Sequence, residues 1–76
     1  MSNLPQVPGE RVIRALERAG FRVDRTSGGH ALMVHTTDPR RRATVPKHGS
    51  KPIRPGTLRS ILRGAELTAE ELDRLL

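Results

Sequence analysis

Cysteine is absent from the 76 residues. No disulfide can staple the fold, and no thiolate can attack a substrate or hold zinc. A chain without cysteine fits a reducing compartment, so a cytoplasmic protein is expected. Aromatic residues are nearly absent as well, Phe21 being the sole Phe, Tyr or Trp. A sheet that stacks bases on an aromatic platform is therefore excluded. Recognition through shape, phosphate and 2′-hydroxyl contacts needs no aromatics and stays open. Long apolar runs are missing too. Nothing approaches the ~18 residues of a membrane span. The N-terminus lacks the basic-then-apolar pattern of an export signal. No membrane partner is expected.

What remains is enough for one small domain. A chain of this length buries only about 60 % of its unfolded surface, so its stability is marginal. Nine Leu, five Val, three Ile, two Met, six Ala and Phe21 must supply the core. The net charge is +6, and twelve of the fourteen cations are Arg. The charge is polarised: residues 1–65 carry thirteen cations against four anions, while residues 66–76 carry four anions against Arg74 alone. Such a surface attracts polyanions. Arginine forks match phosphate geometry, which favours nucleic acid over a merely solubilising surface.

Periodicity gives the order of elements. Residues 1–7 show no period and read as a loose leader before a single domain over 8–76. Gly9–Ala19 reads as a helix, with Val12, Ile13, Leu16 and Ala19 on one face and Arg11, Arg14, Glu17 and Arg18 on the other. The period then changes to two. Phe21, Val23 and Arg25 alternate with Arg22, Asp24 and Thr26 in a first strand. Ser27-Gly28-Gly29 signals a turn. Ala31–Thr36 reads as a second strand, with Leu32 and Val34 on one face and Ala31 and Met33 on the other. Asp38-Pro39 breaks it, and Ala43-Thr44-Val45, closed by Pro46, is a short third strand. Lys47–Pro55 is a polar loop. Pro55–Arg63 reads as a helix burying Leu58, Ile61, Leu62 and Ala65, with Gly64 expected to end it. Thr68-Ala69-Glu70-Glu71 is a capping box opening a last short helix that buries Leu72 and Leu75 or Leu76. The expected fold is α+β: α-β-β-β-α, a three-stranded antiparallel sheet covered by helices on one face, with a short C-terminal helix.

Several local patterns in this order are shared with a known family. They are Arg18-Ala19-Gly20-Phe21, Gly28-Gly29-His30, Val45-Pro46-Lys47-His48, Pro55-Gly56-Thr57-Leu58 with Ile61 and Leu62, and Leu67-Thr68-Ala69-Glu70-Glu71. From about Pro8 to Leu76 the chain resembles the HicA-type mRNA interferase toxins of bacterial toxin–antitoxin systems. The resemblance implies a double-stranded-RNA-binding-domain-like fold, ribosome-independent RNA cleavage and a HicB-type antitoxin. It also implies that His30 is catalytic, as the His of a Gly-Ser-His or Gly-Gly-His element. Many members carry Ser where this chain has Gly29.

The residues themselves suit that chemistry. RNA carries its own nucleophile, the 2′-hydroxyl, so cleavage without metal or cofactor needs proton transfer and charge stabilisation only. A histidine can act as base or acid at neutral pH. Gly28 and Gly29 let the backbone before His30 approach a phosphate and offer N–H donors. Read from the residues alone, His30 is either that catalytic group or a turn residue capping a hairpin. If the Leu32 and Val34 face is the buried one, His30 lies at the margin of the core. His35 reads as a solvated strand residue. His48 is a second acid–base partner, a phosphate contact or a surface loop residue. Arg40-Arg41-Arg42 is a phosphate clamp or a solvated turn. Lys47, Lys51 and Arg54 precede a helix whose start, at Gly56-Thr57, can hold a phosphate. Arg25 can reach the same phosphate as His30. Ser27 is a further contact or a turn residue bonding its own backbone.

Three classes of function compete. An RNase uses His30. An RNA-binding module of the same shape explains the charge but not Gly28-Gly29-His30. A DNA-binding module would use residues 55–76 as a helix-turn-helix, with Arg59 and Arg63 in a groove, but its last helix is acidic. A toxin also needs silencing in its own cell. An antitoxin contacting His30 and the basic loop is expected, with weaker binding when Arg40, Arg41 and Arg42 all become Ala.

Overall fold

The computed structural model describes residues 4–47 and 49–76. Helix α1 spans Gly9–Arg18, strands β1, β2 and β3 span Phe21–Ser27, His30–His35 and Arg42–Pro46, and helices α2 and α3 span Pro55–Ala65 and Ala69–Leu75. The strands form an antiparallel meander in the order β1-β2-β3. This is the expected α+β layout of a double-stranded-RNA-binding domain, with one short helix added. Among the described residues no helix is long and apolar enough to cross a membrane.

Helix α1 opens after Pro8, whose extended backbone and fixed φ suit a helix start. Glu10 in its first turn and Arg18 in its last complement the helix dipole. Val12, Ala15 and Leu16 are fully buried. They meet Phe21, Ala31, Met33, Ala43 and Val45 from one face of the sheet, and Leu58, Ile61, Leu62 and Leu72 from the other helices. Alternation in β2 therefore turns Ala31 and Met33 inward. His30, Leu32 and Val34 point to the opposite, open face of the sheet, where His30 is exposed, Leu32 half-buried and Val34 buried. His30 thus stands at the end of the open face, not at the margin of the core.

Strict alternation fails in β1. Val23 pairs with Met33, but Arg25 pairs with Leu32, and Asp24 is the extra residue of a bulge. The bulge moves Arg25 to the open face beside Arg22, away from the face of Phe21 and Val23. A pattern of period two cannot show this, because both sides of the bulge alternate correctly.

Helix α2 packs along β3, and α3 packs on α1. The two do not form the paired unit of a helix-turn-helix. Gly64 does not end α2, which continues to Ala65. A Cβ at Gly64 would overlap the Arg42 carbonyl, so the glycine serves close approach of helix to strand. The left-handed turn falls instead on Glu66, at φ 58°. The capping box of α3 forms as expected: Thr68 Oγ1 accepts from Glu71 N at 3.0 Å, and Glu71 Oε1 accepts from Thr68 N at 2.9 Å. Before α1, Leu4 and Val7 pack against the core. The Ile53 N–H donates to the Val7 carbonyl at 3.0 Å, which ties the loop before α2 to the start of the domain.

Candidate functional site

The β1–β2 connection is a two-residue hairpin. Gly28 and Gly29 have φ of 56° and 79°, the left-handed pair that matches the twist of the flanking strands. A Ser at position 29 would be strained in this turn, which gives a local reason for glycine there. The Lys47 N–H donates to the Gly29 carbonyl at 2.6 Å and pins the turn to the end of β3.

His30 is the first residue of β2, paired with Ser27 on one side and Pro46 on the other. Its imidazole is exposed. Nδ1 lies 3.2 Å from the Gly28 carbonyl oxygen. A carbonyl can only accept, so Nδ1 carries the hydrogen and Nε2 is the basic nitrogen of the neutral ring.

Two grooves meet at this ring. The first, about 360 Å³, is lined by His30, Gly9, Pro46, Lys51, Ile53, Arg54 and Thr57. It takes in Gly9, at the start of α1, and Thr57, in the first turn of α2. Helix α2 has no side-chain cap and no acidic residue in its first turn, and Arg54 is its N-cap. Its first N–H groups are thus suited to an anion. The second groove is lined by His30, Arg25, Ser27, Leu32 and Thr44, on the open face. His30, Lys51, Arg54 and Thr57 are therefore brought together, with Arg25 on the other side of the ring. Lys47 is exposed beside Pro46. His48 lies outside the described residues.

A family model described as the HicA toxin of bacterial toxin–antitoxin systems matches residues 9–67. The chain belongs to the HicA toxin family. The match runs from the start of α1 through α2 and takes in the hairpin, His30 and both grooves. No curated protein matches the chain. As a toxin of this class, the protein has an antitoxin partner.

The three consecutive arginines of this HicA toxin do not reach the site. They lie at the opposite end of the sheet, four strand residues from His30, roughly 13 Å at 3.3 Å per residue. Nor do they form one clamp. Arg40 is 89 % exposed and pairs with Asp38 at 3.3 Å. Its hydrogen bond to Asp38 holds that carboxyl below the usual carboxylate range. Arg41 turns toward the helices, its guanidinium carbon 5.4 Å from the Phe21 ring centroid and its Nε donating to the Ala65 carbonyl at 2.9 Å. Arg42 stays on the open face, its Nε donating to the Pro39 carbonyl at 3.0 Å.

His35 is not a solvated strand residue. Parity places it on the helix side, half-buried and edge-on to Phe21 at 5.0 Å. Its Nδ1 accepts from Thr37 N and Asp38 N, both at 3.2 Å. It organises the β2–β3 turn. The sequence reading missed Leu32, Thr44, Pro46 and Ile53 as groove-lining residues. Thr44, polar between the buried Ala43 and Val45, carried a signal in the alternation of β3. Among the described residues, no group of three or more His, Asp or Glu is placed to hold a metal ion.

Proposed function

We propose that this HicA toxin is a metal-independent RNA endonuclease, an mRNA interferase, with His30 as its acid–base group. The observation that carries this reading is an exposed imidazole, oriented through Nδ1 by the Gly28 carbonyl, at the meeting of two cationic grooves. Nε2 takes the proton of the 2′-hydroxyl as that oxygen attacks the adjoining phosphorus. The bond from phosphorus to the 5′-oxygen breaks. The proton held on the imidazolium returns to that 5′-oxygen, directly or through water. The products are a 2′,3′-cyclic phosphate and a 5′-hydroxyl, and the imidazole is regenerated. Lys51, Arg54 and the start of α2 at Thr57 supply positive potential for the charge developing on the phosphate. Gly28 and Gly29 allow the backbone to stand close to it.

The partner in this reading is a HicB-type antitoxin that covers His30 and the first groove. The setting is cytoplasmic, where mRNA is available. The test is incubation with a defined RNA in EDTA, beside folded His30→Ala. Acid–base groups contribute about 10²–10⁴-fold, so the variant should lose that much rate. Fragment ends should be 2′,3′-cyclic phosphates. Binding without cleavage by the wild type would instead identify a non-catalytic RNA-binding module. Equal cleavage by both proteins would remove His30 from the chemistry.

A further inference from the structure

The open face of the sheet carries its side chains in three rows across the strands. Ser27, His30 and Pro46 form the first row, Arg25, Leu32 and Thr44 the second, and Arg22, Val34 and Arg42 the third. The second row and part of the first enclose the groove on this face. Its floor is Leu32, half-buried and apolar, and its rim is the exposed Arg25, Ser27 and Thr44. We infer that this groove seats the base of the nucleotide adjoining the scissile phosphate. Single-stranded RNA then continues along the open face toward Arg22 and Arg42. The inference rests on the RNase reading above and assigns the substrate's strandedness and its path.

The chemistry of the groove fits an unpaired nucleotide. A base needs an apolar surface under its ring, and Leu32 supplies one. It needs no aromatic partner if a guanidinium plane can lie against it, and Arg25 stands directly across the ladder from Leu32. Ser27 and Thr44 hydroxyls can each donate or accept, so they suit more than one base edge or a 2′-hydroxyl. The third row offers cations for the next phosphate. Its Arg22 also pairs with Asp24 at 2.8 Å, which leaves Arg42 and Arg25 as the stronger attraction. No acidic residue stands in any of the three rows.

The arrangement also selects against duplex. His30 lines both grooves, one on the side of the helix starts and one on the open face. A strand occupying both must bend round the end of the sheet at Pro46. A flexible single strand does this, whereas a base pair keeps its base stacked and its edge occupied, so it cannot lie on Leu32.

The test uses the full chain and an RNA octamer with 4-thiouridine scanned through every position. The octamer is 2′-O-methylated throughout, so that binding is read without cleavage. Irradiation and peptide mapping should place at least one position on Leu32 or Thr44 and its neighbours on Lys51, Arg54 or Thr57. Cross-links confined to the helix-side groove would overturn the proposal. Thr44→Glu, an exposed change whose folding is checked by circular dichroism, should weaken octamer binding by about tenfold. Unchanged affinity would overturn it, as would loss of antitoxin binding with RNA binding intact. The unmodified octamer separates the two readings. Cross-links on the open face with no cleavage would uphold the strand path and reject the RNase. Cleavage with no such cross-links would do the reverse.

Discussion

Glu66 holds a backbone conformation that its side chain opposes. At φ 58° it occupies the left-handed region after α2, which achiral Gly adopts freely and which most L-residues other than Asn avoid. Glu66→Gly removes that cost but loosens the unfolded chain, so the net gain is about 0.5–1 kcal/mol. For a domain of this size that corresponds to a rise in Tm of a few degrees, and an unchanged Tm would show that the Glu66 side chain compensates. Gly64→Ala should act oppositely, because its Cβ meets the Arg42 carbonyl. Arg41 is a third case of position overriding residue type. Its sequence neighbours made it read as part of a phosphate clamp, yet it bridges Phe21 and the end of α2. Arg41→Ala should cost about 1–3 kcal/mol in a denaturant titration, from a charged hydrogen bond and a cation–π contact. Arg40→Ala, with its partner at the surface, should change stability little. Equal effects of the two would contradict this division. The place of His30 at the start of β2 was legible because Gly28-Gly29 mark the turn before it. His35 was not, since its role depends on Phe21, fourteen residues earlier.

The order of elements was legible because each one carries its own period and punctuation. Pro8 opens α1, Gly28-Gly29 turns the hairpin, and the Thr68–Glu71 box opens α3. The bulge at Asp24 was hidden, and with it the face of the sheet on which Arg25 stands; that Arg25 lies near His30 was legible from the intervening turn. The face of the sheet that is buried was also undecided, because both faces of β2 carry apolar residues. Only the helices settle it, and they pack on Ala31 and Met33. The capping box gives a prediction at this scale. Thr68 donates its backbone N–H to Glu71, which holds that carboxyl below its usual value. A group with a lowered folded pKa stabilises the fold above its unfolded pKa and loses that contribution as pH falls through the folded value. Glu71→Gln should therefore be less stable than wild type at pH 7. The difference should vanish under acid conditions below the folded value. Denaturant midpoints compared at pH 7 and at about pH 2–3 would show this, and a deficit that persists in acid would assign it to lost packing rather than charge. Thr68→Ala should cost about 1 kcal/mol, as other cap losses do.

At the scale of the whole molecule, the proposed RNA binding turns on how charge is distributed. The cations are not a uniform coat. Lys51, Arg54 and the starts of α1 and α2 gather at the His30 end, while the acidic helix α3 packs toward the other end of α1. Arg18 reaches across to the Leu75 carbonyl and holds α3 there. RNA binding at one end should release counterions in proportion to the phosphates contacted. For a single strand the slope of log K against log salt is about −0.7 per phosphate. If Lys51 and Arg54 each neutralise one phosphate, the double change to Ala should make the slope shallower by roughly 1.4. Arg40→Ala, at the far end of the sheet, should leave it unaltered. Fluorescence anisotropy of a non-cleavable single-stranded RNA over a series of salt concentrations reads both slopes directly. A shallower slope from Arg40→Ala, with none from the Lys51 and Arg54 pair, would move the RNA to the β2–β3 turn and detach the charge of this molecule from His30.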